Sequence, residues 1–199
     1  MTPEAPVLRR PLVVLTLCAA LVGGTTSSAG AEDVVLRDGV GDVWRYPLAG
    51  GEPDMRPRVI AGDVRKAWIR HDTDRVVTRM TYDGLRRFGP LVSYRVRILT
   101  GAGVYREVVV DASRGIGWQG ALRVFNRAGS RVDCAARHRI SYLTKVVTIS
   151  VPRSCLGSPR SVRVSATSFW VTADHDFMVD NPHVRTEVNN TWTEWVRAG

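Results

Sequence analysis

Two aspartates flank a glycine-containing turn near the start of the chain, and they are the first residues whose types and spacing could support chemistry. They lie in the segment Asp38-Gly39-Val40-Gly41-Asp42. Carboxylate and backbone oxygens are the ligands that Ca²⁺ prefers, so Asp38 and Asp42 form a candidate calcium site. The alternative is a pair of Asx-type turns around the two glycines. We expect no other cofactor.

A denser group of potential ligands lies near the C-terminus, within residues 172–184, which we expect to form a loop. The group comprises Asp174, His175, Asp176, Asp180 and His183. A metal site or an acid/base site is conceivable there. The alternative is a polar surface loop, because aspartate favours turns in its own right.

Catalysis by paired carboxylates is a third possibility, with Asp174 and Asp176 or Asp72 and Asp74 as the closely spaced acids. Glycoside hydrolases place two carboxyl groups about 5 to 9 Å apart across a cleft. Two acids from one loop are a poor source of that arrangement. We therefore assign no catalytic residue and expect the chain to bind rather than to catalyse.

A tryptophan between two cations is the most specific binding candidate. In a strand predicted over residues 64–70, successive side chains alternate between two faces. Ala67 and Ile69 suit a core, so Lys66, Trp68 and Arg70 are expected to face solvent.

The next two predicted strands place more arginines opposite their own apolar faces. Consecutive strands pair or neighbour about two-thirds of the time, which predicts one basic stripe across the sheet. Its members are Lys66, Trp68, Arg70, Arg79, Arg95 and Arg97. An aromatic ring offers a stacking surface, and arginine binds carboxylate or phosphate through two parallel hydrogen bonds. A polysaccharide or another cell-envelope polyanion is the expected partner; the alternative is a solvated sheet face.

The elements that must position these residues are strands. Polar and apolar residues alternate over residues 76–82, 92–98, 146–151 and 162–167, and glycine-, asparagine- and proline-containing turns separate the runs. We find no stretch of 12 or more residues with a helical period. The pattern predicts an all-β chain that forms a single antiparallel, jelly-roll-like β-sandwich.

The composition is that of one folded, basic domain. The chain has 199 residues, of which 44% are hydrophobic, and a net charge of +9. This excludes wholesale disorder and leaves little room for a second domain. Because zinc-finger spacing and the aromatic signatures of nucleic-acid modules are missing from the sequence, we expect no dedicated nucleic-acid binding. We expect a monomer.

The N-terminal segment has the pattern of a secretory signal peptide. Arg9 and Arg10 precede an apolar run over residues 11–22, and an A-x-A cleavage pattern occupies residues 29–31. We divide the chain into a signal peptide, residues 1–31, and a β-sandwich domain, residues 32–199. The pattern predicts a secreted, extracellular protein with no membrane span once the signal is removed.

Removal of the signal peptide takes Cys18 with it and leaves two cysteines, Cys134 and Cys155. In an exported chain they most simply form one intradomain disulfide. The alternative is two buried thiols. Between them we expect one strand, residues 140–151, followed by a turn that brings the second cysteine back.

Several short motifs occur in a recognisable order. They are residues 38–43 (DGVGDV), 62–64 (GDV), 68–71 (WIRH), 151–157 (VPRSCLG) and 162–164 (VRV). This layout resembles that of small secreted bacterial β-sandwich proteins related to the family 9 carbohydrate-binding and DOMON-like domains. The resemblance implies a jelly-roll-type sandwich that is often non-catalytic, and some of its members bind sugars and structural calcium.

These observations predict a secreted, non-catalytic binding domain for carbohydrate or an anionic cell-envelope polymer. Two alternatives stay open. One is a secreted hydrolase that uses paired carboxylates. The other is a structural or protein-interaction sandwich without a small ligand.

Overall fold

The computed structural model of the protein describes residues 31–56, 58–182 and 191–199. Within these ranges the chain forms two β-sheets and one short 3-10 helix, Arg153–Leu156. No helix in the described ranges is long and apolar enough to cross a membrane. The predicted signal peptide lies outside the described residues except for Ala31.

The strands, numbered β1 to β13 in chain order, form a five-stranded and an eight-stranded sheet. In spatial order, the first contains β1 (Glu32–Arg37), β4 (Val64–His71), β5 (Arg75–Tyr82), β10 (Val146–Pro152) and β9 (Arg137–Ser141). The second contains β3 (Asp54–Met55), β2 (Trp44–Tyr46), β12 (Phe177–Asp180), β11 (Ser161–Val171), β6 (Leu91–Thr100), β7 (Tyr105–Ser113) and β8 (Gly117–Phe125), and β13 (Val196–Arg197) also pairs with β11. Neighbouring strands are antiparallel throughout, so the predicted all-β antiparallel sandwich is confirmed.

The two sheets pack face to face because each strand turns one apolar side inward. Ala67 and Ile69 of β4 are fully enclosed, as are Val96 and Ile98 of β6 in the other sheet. These side chains meet in a single core that also contains Trp170. Burying one aliphatic side chain contributes about 1.5 to 3 kcal/mol, so this alternation decides which side chains face solvent.

Residues 140–151, predicted as one strand, are two. β9 ends at Ser141, a turn follows, and β10 begins at Val146. Lys145 in the turn has a φ of 54°, a left-handed conformation that is uncommon for a lysine. The prediction is wrong because this turn contains neither glycine nor proline to mark it.

The predicted disulfide between Cys134 and Cys155 is present, with the two Cα atoms 5.7 Å apart. Cys134 precedes β9, and Cys155 lies in the 3-10 helix that follows β10. The bridge therefore closes the β9–β10 hairpin at one edge of the five-stranded sheet.

Residues 172–184, predicted as a loop, contain β12. This four-residue strand pairs with β11 on one side and with β2 on the other. Its residues Met178 and Asp180 are buried. The neighbouring strands β11 and β2 form hydrogen bonds with this segment and bury part of it. These contacts outweigh the loop preference of a local sequence rich in turn-forming residues.

β5 and β6 follow each other in the chain but belong to different sheets. β6 pairs with β11 and β7, whereas β5 pairs with β4 and β10. The connection, residues 83–90, therefore carries the chain from one layer of the sandwich to the other. This crossing separates residues that the predicted basic stripe places together.

Candidate functional site

The outer face of the five-stranded sheet carries the tryptophan and most of the predicted basic stripe. Lys66, Trp68 and Arg70 of β4 face away from the core, as the alternation predicts. Arg79 of β5 projects from the same face, because it lies directly opposite Trp68 in the antiparallel register. The structure therefore brings together four of the six residues of the stripe.

The register extends this arrangement across the whole sheet. Val35 of β1 lies opposite Trp68, Thr148 of β10 lies opposite Arg79, and Arg139 of β9 lies opposite Thr148. Directly opposed residues share a face, so the five side chains form one row. With strands about 4.8 Å apart, the row is roughly 19 Å long.

Three arginines on this face were missed by the sequence analysis. Arg37 of β1 lies opposite Lys66, Arg137 of β9 lies opposite Ser150, and Arg139 belongs to the row just described. Their position follows only from the pairing of the edge strands β1 and β9, because alternation within one strand does not show which strands are neighbours. We call this surface the basic face; it comprises Trp68 with Arg37, Lys66, Arg70, Arg79, Arg137 and Arg139.

Most cations of the basic face have no acidic partner. Arg70 pairs with Asp72, at 2.6 Å between Nε and Oδ1. The indole Nε1 of Trp68 donates to Asp33 Oδ2 at 2.8 Å, which orients the ring. Among the described residues, no ion pair or side-chain hydrogen bond engages Arg37, Lys66, Arg79, Arg137 or Arg139.

Two adjoining depressions lie on the basic face, with Arg79 between them. The first, of about 380 Å³, is lined by Lys66, Trp68, Arg79 and Thr81. The second, of about 300 Å³, is lined by Arg79, Arg139, Ser141, Thr144, Val146 and Thr148. An anion at either depression can thus reach at least two side chains with hydrogen-bonding nitrogens.

Arg95 and Arg97 do not belong to the basic face, and this part of the predicted stripe is wrong. They lie on β6, in the eight-stranded sheet. The Arg95 guanidinium stacks 4.5 Å from the centre of the Phe169 ring. Glu107 of β7 lies 3.9 Å from Arg95 and 3.6 Å from Arg97, so a carboxylate already offsets part of their charge.

A shallow groove of about 470 Å³ lies on the outer face of the eight-stranded sheet. We call it the aromatic groove; it is lined by Tyr46, Arg95, Arg97, Thr167, Phe169, Phe177 and Val179. β2, β12, β11 and β6 each contribute to it, because these four strands are adjacent in the sheet. Three aromatic rings make its floor and walls mainly apolar.

Four aspartates converge where strand ends from both sheets meet. Asp38 follows β1, Asp42 precedes β2, Asp63 precedes β4, and Asp180 ends β12. Carboxylate oxygens of Asp38, Asp42 and Asp180 lie within 4.8 Å of one another. We call the four residues the acidic cluster. The sequence pattern predicted Asp38 and Asp42 as one calcium site and placed Asp180 in a separate group of potential ligands.

Backbone amides orient parts of the acidic cluster. Asp180 Oδ2 accepts the Val64 N–H at 2.5 Å, and Asp63 Oδ2 accepts the Gly41 N–H at 2.7 Å. Asp38 Oδ1 accepts the N–H of the next residue at 2.8 Å. An Asx turn uses the N–H two residues on, so the Asp38 contact is not the Asx-type turn expected as the alternative, and Gly41 donates to Asp63 instead.

Several carboxylate oxygens of the cluster are buried without a partner. No donor group reaches either oxygen of Asp42, Oδ2 of Asp38 or Oδ1 of Asp63, and a hydrogen bond between Asp38 and Asp42 forms only when one of the two carries a proton. Asp42 is only 5% exposed, and Asp180 only 2%. Within the three described ranges, no basic side chain forms an ion pair with any of the four aspartates.

Burial raises the pKa values of Asp38, Asp63 and Asp180 above the usual range of an aspartate, because it disfavours the charged form. For Asp38, the negative charges of Asp180 and Asp42 raise the pKa further. The charge of Asp42 acts in the same direction on Asp63 and Asp180. When all four aspartates are ionised, the cluster therefore holds more negative charge than its surroundings offset.

The ligand group predicted within residues 172–184 does not assemble as a unit. Asp180 turns into the acidic cluster, whereas Asp176 pairs with Arg45 at 3.3 Å. Asp174 and His175 are exposed in the turn before β12. His183 lies outside the described residues.

No family model, curated protein or solved structure matches this chain. The residues and their geometry therefore carry the functional argument. What they define is an antiparallel β-sandwich with a disulfide-braced edge, a basic outer face on one sheet and an acidic cluster between the two sheets.

Proposed function

We propose that the protein is a secreted, non-catalytic binding domain that holds an anionic cell-envelope polymer on its basic face. One observation carries this proposal. Five cations without acidic partners share one sheet face with Trp68, and two of them, Lys66 and Arg79, line the same depression as its ring.

The shape of the basic face suits an extended ligand. The row from Val35 through Trp68 and Arg79 to Arg139 crosses all five strands. Arg79 and Arg139 are two strands apart, which is about 10 Å. They can therefore contact two successive anionic groups of a polymer, while the half-buried indole packs against its apolar surface.

The arginine contacts of the candidate acids argue against hydrolysis and favour binding alone. Asp72 pairs with Arg70 and Asp74 pairs with Arg75, while Asp176 contacts Arg45. The side-chain hydrogen bond from Arg75 lowers the pKa of Asp74. A general acid must carry a proton near the working pH, and ion pairs with arginine oppose protonation.

Export is part of the proposal and rests on the N-terminal pattern. Cleavage after Ala31 would leave β1 intact, because that strand spans Glu32–Arg37. The Glu32 side chain accepts a hydrogen bond from the Arg197 backbone N–H at 2.6 Å. We expect the protein recovered from culture medium to begin at Glu32; an intact Met1 terminus would contradict export by this signal.

The direct test compares polymers of different charge. Polygalacturonate supplies carboxylates on a sugar chain, dextran supplies an uncharged sugar chain, and double-stranded DNA supplies phosphates without exposed sugar faces. We expect retention on polygalacturonate that falls as salt rises from 50 to 500 mM, since salt screens exposed charges. Equal retention on dextran, or stronger retention on DNA than on polygalacturonate, would contradict the proposal.

A second candidate is the binding of an uncharged sugar in the aromatic groove. Tyr46, Phe169 and Phe177 favour it, because their rings offer stacking surfaces beside two arginines. In that case dextran or another neutral glycan would be retained independently of salt. Phe169→Ala would then abolish retention, and substitutions on the basic face would leave it unchanged.

A further inference from the structure

We propose that Asp38, Asp42, Asp63 and Asp180 hold one Ca²⁺ ion that ties the two sheets of the sandwich together. This inference is independent of the proposed polymer binding. It concerns other residues, none of which belongs to the basic face, and the cohesion of the fold.

The acidic cluster is more than a group of surface acids. Asp42 is 95% enclosed, yet no donor group reaches either of its carboxylate oxygens. Its ligand oxygen lies within 4.8 Å of those of Asp38 and Asp180. An unpaired buried carboxylate is costly, and a cation at the point where these oxygens converge would remove that cost.

The spacing fits calcium. Ca²⁺ takes 6 to 8 oxygen ligands at about 2.3 to 2.6 Å, so ligands on opposite sides of the ion are about 4.8 Å apart. The three carboxylate oxygens therefore fit around one ion. A site built mainly of protein oxygens favours Ca²⁺, because Mg²⁺ usually keeps several of its waters.

Asp63 offers a further oxygen, because its Oδ1 is buried and no donor group reaches it. Asp63 is already anchored by the Gly41 N–H through its other oxygen. The site thus draws on side chains from three separate parts of the chain.

The position of the cluster explains what the ion would do. Asp38 and Asp63 adjoin β1 and β4 of the five-stranded sheet, whereas Asp42 and Asp180 adjoin β2 and β12 of the eight-stranded sheet. One ion bound by all four would connect strands of both layers. Without it, the carboxylates repel one another at the same place, and this repulsion favours their protonated forms.

The experiment uses the whole secreted chain, treated with EDTA and then freed of it. We expect titration calorimetry to detect one Ca²⁺ per chain. At Ca²⁺ 100-fold above the dissociation constant, the midpoint of thermal unfolding should rise by about 5 to 10 °C. Mg²⁺ should bind at least tenfold more weakly. An absence of both binding and thermal shift with wild-type protein would overturn the proposal.

Two substitutions locate the site. Asp42→Asn keeps the shape of the side chain and removes one charge from the cluster, so the variant is expected to fold without calcium. It should lose at least tenfold in calcium affinity and most of the thermal shift. Asp174→Asn removes an exposed acid from the rival loop and should change neither. Unaltered binding by the Asp42 variant, or loss of binding by the Asp174 variant, would also overturn the assignment.

Discussion

Trp68 of β4 and Arg79 of β5 lie directly opposite each other on the outer face of the five-stranded sheet. Their positions follow from the antiparallel register, and they line the same depression with Lys66. An apolar ring is thus set between cations that have no acidic partner. This juxtaposition makes the face suitable for a ligand with both apolar surface and negative charge.

Trp68→Ala is expected to weaken retention on polygalacturonate about tenfold, because the stacking surface is lost. Trp68→Phe keeps a ring and should lose less than threefold. The residue is half-buried at the surface, so both variants should remain folded, as circular dichroism can establish. Equal affinity of the alanine variant and the wild type would remove Trp68 from the site.

Gly62 has a φ of +76°, and a Cβ atom there would lie 2.3 Å from Trp170 Cζ3. Gly62→Ala should therefore lower the free energy of unfolding by roughly 3 kcal/mol, from backbone strain plus a clash with an enclosed ring. Gly103→Ala is the matched control: its φ is +83°, but nothing lies within 4 Å of the added atom. It should cost only about 1 kcal/mol. Denaturant titration measures both, and equal losses would argue against the clash.

The Cys134–Cys155 bridge closes a hairpin at the sheet edge. Replacing both cysteines with serine should lower the free energy of unfolding by about 2 to 4 kcal/mol, because the unfolded chain gains freedom. Mass spectrometry of unreduced wild-type protein should find no alkylatable thiol in the mature domain. Two free thiols per chain would contradict the bridge.

The buried side chain of His71 should make the free energy of unfolding depend on pH. Its imidazole is fully enclosed; Nδ1 lies 3.1 Å from the Val196 carbonyl oxygen, and Nε2 is buried without a partner. Burial lowers the pKa of His71; the Val196 carbonyl and Asp72 oppose this shift, and Arg153 adds to it. Protonation would place an N–H donor without an acceptor in the core.

Because the folded pKa lies below the unfolded value, the unfolded chain binds the proton first as pH falls. The contribution of His71 to stability is therefore complete at pH 7.5 and is lost below about pH 6.5. Between pH 7.5 and 5.5, wild-type protein should lose about 1 kcal/mol more stability than His71→Gln. His175→Asn, in an exposed turn, should keep the wild-type pH profile. An identical profile for the His71 variant would refute this role.

The sequence was sufficient for features that depend on alternation within one strand. It predicted the sandwich, the cysteine pair and the outward face of Lys66, Trp68 and Arg70. It failed where placement depends on contacts between distant segments. Arg95 was assigned to the wrong sheet because no local signal marks the crossing between β5 and β6.

The acidic cluster also depends on contacts between distant segments, which the sequence pattern does not show. Asp38 and Asp42 are recognisable because they flank one turn. Asp180 is 138 residues beyond Asp42, at the end of a four-residue strand whose local sequence resembles a loop. Only the pairing of β12 with its neighbours brings Asp180 to the other carboxylates, and a local reading of the chain cannot provide that.

A matched pair of double variants gives the sharpest test of polymer binding to the basic face. Arg79→Ala with Arg139→Ala removes two cations from the face. Arg114→Ala with Arg131→Ala removes the same charge from exposed positions elsewhere. Calorimetry with polygalacturonate at 50 mM salt should show a loss of about tenfold for the first pair and less than twofold for the second. Equal losses for both pairs, or none for the first, would contradict polymer binding at this face.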